Sequence, residues 1–142
     1  MKAFQITNFD KNPTIENIPE PNPKPNQVRL KIMSCGLNFA DILLINGTYQ
    51  ETPPLPFVLG MEVSGVVDAL GSNVTNFSIG DRVAVFGGQG GLAEYGCFDL
   101  SRCVKLPQKM DFDDAAAFQI AYGTSHLALG YKAQIKPGDT LL

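Results

Sequence analysis

Gly60-Met61-Glu62-Val63-Ser64-Gly65-Val66-Val67-Asp68-Ala69-Leu70 is the stretch on which the fold turns. From Glu62 to Leu70 it is rich in valine, starts just after Gly60 and runs into the turn Gly71-Ser72-Asn73. Branched side chains pack well on a pleated surface, so the segment predicts one long central strand. On its N-terminal side, Val28-Arg29-Leu30-Lys31-Ile32-Met33 alternates apolar and basic residues, the period of a half-buried strand. Met1–Ile6 and Thr14–Ile18 read as two further strands, joined through Asn8–Asn12. On its C-terminal side, Gly80-Asp81 turns the chain into a strand at Arg82–Phe86. A flexible loop, Gly87–Gly91, leads to strands at Leu92–Phe98 and Cys103–Leu106.

Two proline-rich stretches, Pro21–Asn26 and Thr52–Pro56, interrupt this pattern. Proline lacks the amide a sheet interior needs, so both are surface connections. Asn38–Ile45 predicts a short helix closed by Gly47. Beyond Lys105 the texture changes. Asp111 caps a first helix, with Asp113 and Asp114 in its first turn and Ala115–Phe118 behind them. Tyr122–Leu129 predicts a second helix ended by Gly130, then a turn at Lys136–Asp139 and a strand opening at Thr140-Leu141-Leu142. That strand has no partner left in the sequence, so the chain is expected to be truncated in the middle of an element. Short strands followed by helices predict one β-rich domain and the beginning of another.

Composition narrows the function classes. The chain has 142 residues, 44% apolar and 18% charged, with a net charge of −3. It is long enough for a globular core. It carries no basic stripe for nucleic acid, no apolar run of membrane length and no secretory leader, so a cytoplasmic protein is expected. Cys35, Cys97 and Cys103 are an odd count without close spacing. This speaks against a disulfide framework or a structural zinc site and predicts three reduced, mostly buried thiols. Gly88-Gln89-Gly90-Gly91-Leu92-Ala93 matches a dinucleotide fingerprint formally. It precedes a strand instead of following one, so it reads as a hairpin loop. His126, the one histidine, has no cysteine or serine constellation around it and reads as an ordinary helix residue.

Three stretches carry a resemblance: Gly36-Leu37-Asn38-Phe39-Ala40-Asp41, Gly60–Val67 and Gly80-Asp81-Arg82-Val83. In this order they resemble the medium-chain dehydrogenase/reductase superfamily, and within it the quinone oxidoreductase branch with its vesicle-amine-transport-like members. The resemblance continues through Gly90–Tyr95, Lys105-Leu106-Pro107 and Ala121–His126, covering essentially the whole chain. It implies a mainly β fold: a GroES-like distorted β-barrel with short helices over residues 1–112. The truncated start of a Rossmann-type α/β domain would follow over residues 113–142. The family's glycine-rich phosphate loop would come after the strand at Thr140, outside this sequence.

The resemblance also predicts the chemistry. Where zinc-dependent relatives carry a cysteine and a histidine, this chain has Asn38 and Met61. Catalytic zinc needs about three thiolate, imidazole or carboxylate ligands, so no metal is expected. The implied function is that of the substrate side of a zinc-independent, NADPH-dependent oxidoreductase, reducing quinones or α,β-unsaturated carbonyls by hydride transfer. NADPH is the cofactor expected of the full-length protein, with most of its site absent here. A homodimer is expected of that protein, with a small-molecule quinone or enone as its substrate. Asn38 is expected beside the nicotinamide, in catalysis and cofactor binding; helix capping is its ordinary alternative. Tyr49 is expected near the substrate, and Tyr122 and Thr124 at the cofactor. Glu62 is expected to be a buried carboxylate paired with Arg82, and Met61 to pack in the cleft. Two alternatives remain: an enoyl-thioester reductase of the same superfamily, and a stand-alone, non-catalytic binding module. The chain alone is expected to be inactive, to bind no NADPH measurably, and to expose Phe118, Ile120, Leu127 and Leu129.

Overall fold

The valine-rich segment forms the middle strand of the larger of two sheets in the computed structural model, which describes residues 1–141. The strands are β1 (Lys2–Ile6), β2 (Thr14–Asn17), β3 (Gln27–Gly36), β4 (Phe57–Val58), β5 (Glu62–Leu70), β6 (Arg82–Phe86), β7 (Tyr95–Asp99) and β8 (Cys103–Lys105). The helices are α1 (Phe39–Ile45) and α2 (Phe112–His126). Five strands pair in the order β7-β3-β5-β6-β8, and three in the order β2-β1-β4, all antiparallel. β5 is buried on both faces at its start: valines face the main core, and Glu62 and Ser64 face α2. Val63 and Val67 join Val28, Leu30, Val83, Val85 and Phe98 in the main core. A second cluster, Ile6, Leu44, Phe57, Leu59 and Met61, lies under α1 and the smaller sheet.

The glycine loop joins the two sheets. β6 and β7 are not neighbours, so Gly87–Gly91 is a crossing segment instead of the expected hairpin loop. Its amides line up on the backbone before β5. Gly87 N and Gly88 N donate to Met61 O at 2.8 and 3.1 Å, Gly90 N to Val58 O at 2.8 Å, and Gly91 N to Gly60 O at 2.9 Å. Leu92 N then donates to Leu59 O, and Phe4 N to Leu92 O, both at 2.7 Å. Side chains would prevent this approach. A Cβ on Gly60 (φ +95°) would lie 2.6 Å from Leu92 N and 2.7 Å from the Cys35 sulfur.

Three further expectations are corrected. The two predicted C-terminal helices are one: α2 runs through Gln119-Ile120-Ala121 and widens into a π-helical segment, Leu127–Lys132. No proline interrupts the join, and Gly123 is tolerated inside the helix. The left-handed residue that follows is Gln134 (φ +50°), not Gly130. Thr140 and Leu141 form no strand, since none of the described residues pairs with them, and Leu142 lies outside the described residues. Arg82 does not pair with Glu62. Its guanidinium donates to Gln108 O at 2.8 Å and to Met110 O, and sits 4.5 Å from the Phe112 ring centroid. It thereby holds the start of α2 against β6.

Candidate active site

The site is built where β3 hands over to α1. Asn38 occupies the N-cap position with extended backbone (φ −128°, ψ 156°), as the helix signal requires. It forms a capping box with Asp41: Asn38 N donates to Asp41 Oδ2 at 2.8 Å, and Asp41 Oδ1 accepts Gly60 N at 3.2 Å. A cap uses only the amide oxygen, so Nδ2 is left to donate to Glu62 Oε1 at 3.0 Å.

Glu62 is 3% exposed and takes a second bond, from Ile120 N at 2.9 Å. One carboxylate therefore joins the end of β3 to the middle of α2. Gly36 makes room for it, because a Cβ there would fall 2.6 Å from Glu62 Oε1 and 2.7 Å from Ala116 O. One residue-pair further along β5, the buried Ser64 hydroxyl donates to Phe112 O at 2.5 Å. α2 is thus pinned to the sheet at Phe112 and again at Ile120.

Burial sets the local electrostatics. It pushes the Asp41 carboxyl up from its ordinary value; the Asn38 and Gly60 amides pull against this, and the Glu62 charge adds to it. The Cys35 thiol is pushed up to about 12, chiefly by burial and further by Asp41 and Glu62. Met61 is buried among Ile6, Leu44, Phe57 and Leu59, where its thioether is a packing group. Among the described residues, no three His, Cys, Asp or Glu side chains converge as a metal-binding set.

The sequence-predicted residues are brought together only in part. Asn38 borders a cleft of about 540 Å³ walled by Phe4, Leu37, Phe39, Ile42 and Leu59. Tyr49 is half-buried against the Met61 cluster and does not line that cleft. Thr124 lines a cavity of about 320 Å³ with Phe86, Gln119, Ile120 and Leu127. Tyr122 stacks on Phe118 at 5.1 Å and lines a separate groove. Of the four residues expected to be exposed, Phe118 and Leu127 are about half exposed, at 50% and 52%. Ile120 instead packs against the Met61 cluster, turned inward by the side of α2 that Glu62 holds. Two site residues escaped sequence reasoning. Asp41 was legible, since Asn-x-x-Asp is a capping pattern. Gln119 carried no signal, yet its Nε2 is buried without a hydrogen-bond partner among the described residues.

The sequence profile of the alcohol dehydrogenase GroES-like domain matches residues 24–108. The chain belongs to that family. It stands in the quinone oxidoreductase-like branch of the medium-chain dehydrogenase/reductase superfamily. This GroES-like chain is 49% identical over 118 residues to quinone oxidoreductase-like protein 2 homolog of Nematostella vectensis, covering 82% of itself and 32% of the relative. It is 36% identical over 146 residues to human quinone oxidoreductase, covering all of itself and 44% of the relative. Among solved structures it matches human synaptic vesicle membrane protein VAT-1 homolog-like protein with a TM-score of 0.90 at 32% identity, over 97% of this chain and 45% of that one. It matches the quinone oxidoreductase of Thermus thermophilus, solved also in complex with NADPH, with a TM-score of 0.83 at 35% identity. That match covers 98% of this chain and 43% of the other. The GroES-like chain thus spans less than half the length of these relatives. Among its described residues, no helix is long and apolar enough to cross a membrane.

Proposed function

We propose that this chain is the substrate side of a zinc-independent, NADPH-dependent oxidoreductase that reduces quinones or α,β-unsaturated carbonyls by hydride transfer. Residues 1–112 form the GroES-like domain and 113–142 open the dinucleotide-binding one. The observation that carries this reading is the Asn38 side chain. It stands at a cap position, and its Nδ2 is held by Glu62 at the border of an apolar cleft. A bound NADPH supplies the hydride.

The residues present fit such a group. Gln119 Nε2 is a buried donor with no partner among the described residues, and Gln119 lines an otherwise largely apolar cavity with Thr124. A carboxamide placed there meets polar groups on apolar walls. Asn38 binds beside it and orients the acceptor. Its amide also helps to hold negative charge that develops on the acceptor oxygen. Glu62 keeps that amide in place, and Ile120 with the Met61 cluster keeps water from the floor. Tyr49 supports the cleft from behind, packed on the Met61 cluster, and Tyr122 and Thr124 meet the cofactor where the chain crosses between domains. Met61 and Asn38 offer a thioether and an amide, poor ligands for Zn²⁺.

The test is turnover by the complete protein with NADPH and a simple quinone, beside a crotonyl thioester, before and after exhaustive chelation. Quinone reduction that survives chelation supports the proposal. Loss on chelation with recovery on added zinc overturns the metal-free part, and turnover of the thioester alone overturns the substrate class.

A further inference from the structure

The Asn38 cleft does not end at Leu37. A second cleft, of about 600 Å³, adjoins it, and Phe4, Leu37 and Leu92 line both. Its outer wall is Ile15, Ile32 and Met33. Leu37, Met33 and Ile15 are 75%, 53% and 71% exposed, an apolar surface that faces water. The polar residues on this wall are Lys2, Ser34, Cys35 and Glu94. The Cys35 thiol is neutral, and the two charged groups, Lys2 and the Glu94 carboxylate that accepts Lys2 N at 2.7 Å, are exposed and of opposite sign. In the first cleft the Asp41 carboxylate is likewise taken, by two backbone amides.

We infer that this trough receives the hydrocarbon substituent of the acceptor, so that the protein selects quinones or enones carrying an alkyl or prenyl tail. The inference rests on the reading that the acceptor's reactive ring binds beside Asn38. From there Leu37 and Phe4 lead a chain outward between β1 and β3 towards Met33 and Ile15. Continuity of the two clefts decides for this occupant: a tail anchored by its ring at one end needs no polar recognition along the trough, and the trough offers little. Each methylene moved from water onto this surface adds to the affinity, up to about fourfold when fully buried.

Two measurements test it. In the complete protein, a series of benzoquinones with short, medium and long n-alkyl chains is reduced with NADPH. We expect kcat/KM to rise about two- to fourfold per methylene over the first several methylenes. Met33→Glu and Ile15→Glu, both on exposed positions of the second cleft only, should flatten that series while leaving kcat/KM for the unsubstituted quinone unchanged. A flat series in the parent protein, or a series the two variants do not alter, overturns the inference. The second measurement needs no turnover. Methyl NMR shifts at Met33, Ile15 and Leu37 should saturate with the long-chain quinone and not with the unsubstituted one, in the absence of NADPH. If no quinone is turned over yet these shifts appear, the functional reading fails and the trough stands. If the shifts are absent, or the trough is covered by a second copy of the chain, the trough assignment fails.

Discussion

Asn38 and Glu62 are joined by a 3.0 Å hydrogen bond that spans 24 residues of sequence. The same carboxylate holds Ile120 N at 2.9 Å, so the end of β3 and the middle of α2 share one acceptor group. The two donors meet different oxygens of Glu62, so a glutamine in the same pose turns its NH₂ towards one of them. Glu62→Gln should therefore cost about 1–3 kcal/mol, the penalty of a buried donor left without a partner. Urea unfolding reads the loss, and faster hydrogen exchange at Ile120 locates it. An unchanged denaturation midpoint would mean that Glu62 holds neither element.

Two glycines should resist even a methyl group. Gly36→Ala drives a Cβ against Glu62 and Ala116 O, at a cost of about 1–3 kcal/mol. Gly60→Ala adds a positive φ to a clash with the Leu92 amide, so about 2–4 kcal/mol is expected. Gly123→Ala, whose Cβ meets nothing within 4 Å, serves as the control and should be neutral or slightly stabilising. Thermal melting of the three variants ranks them; equal Tm values would contradict the close approaches.

Asp41 predicts an acid-side dependence. Its folded-state pKa is raised above the ordinary value of 3.8, mainly by burial. A raised acid pKa means that folding favours the protonated form. Its stability contribution is complete below 3.8 and is lost as pH climbs through the folded-state value. The stability of the parent chain relative to Asp41→Asn should accordingly fall as pH rises from that point. Parallel urea titrations across the acid range measure it, and a difference that grows with pH would reverse the sign.

The thiols should be sluggish. Burial is the main cause that pushes Cys35 and Cys103 up to about 12 and Cys97 to about 11. Thiolate is the reactive form, so iodoacetamide at mildly alkaline pH should label the folded chain far more slowly than the unfolded one. Mass spectrometry across a pH series should find Cys97 modified first. Rapid labelling of Cys35 in the native state would contradict its burial.

The strand pattern was legible where local signals and packing agree. Glu62–Leu70 and Arg82–Phe86 occupy their expected bounds, because valine-rich runs between glycines leave little alternative. The role of Gly87–Gly91 was not legible, since nothing local says that its amides will meet residues 58–61. α2 was divided in two because glycine and tyrosine weaken a helical signal that docking on Ser64 and Glu62 restores. At the site, the burial of Glu62 and Met61 followed from motif position. Glu62's partner did not: Arg82 lies nearer in sequence than Ile120, and tertiary packing turned it to Gln108 and Met110.

The anchoring of α2 has an outcome for how the chain is degraded. Its last fixed point on the sheet is Ile120; from Ala121 to Leu141 every residue except Leu129 is exposed. Backbone with so little buried around it opens at small cost, while the sheets open only with the whole. A protease acting on these 142 residues taken alone should therefore trim this segment back towards residue 120 and then stall, leaving a resistant β-rich remnant whose new end is set by a single carboxylate.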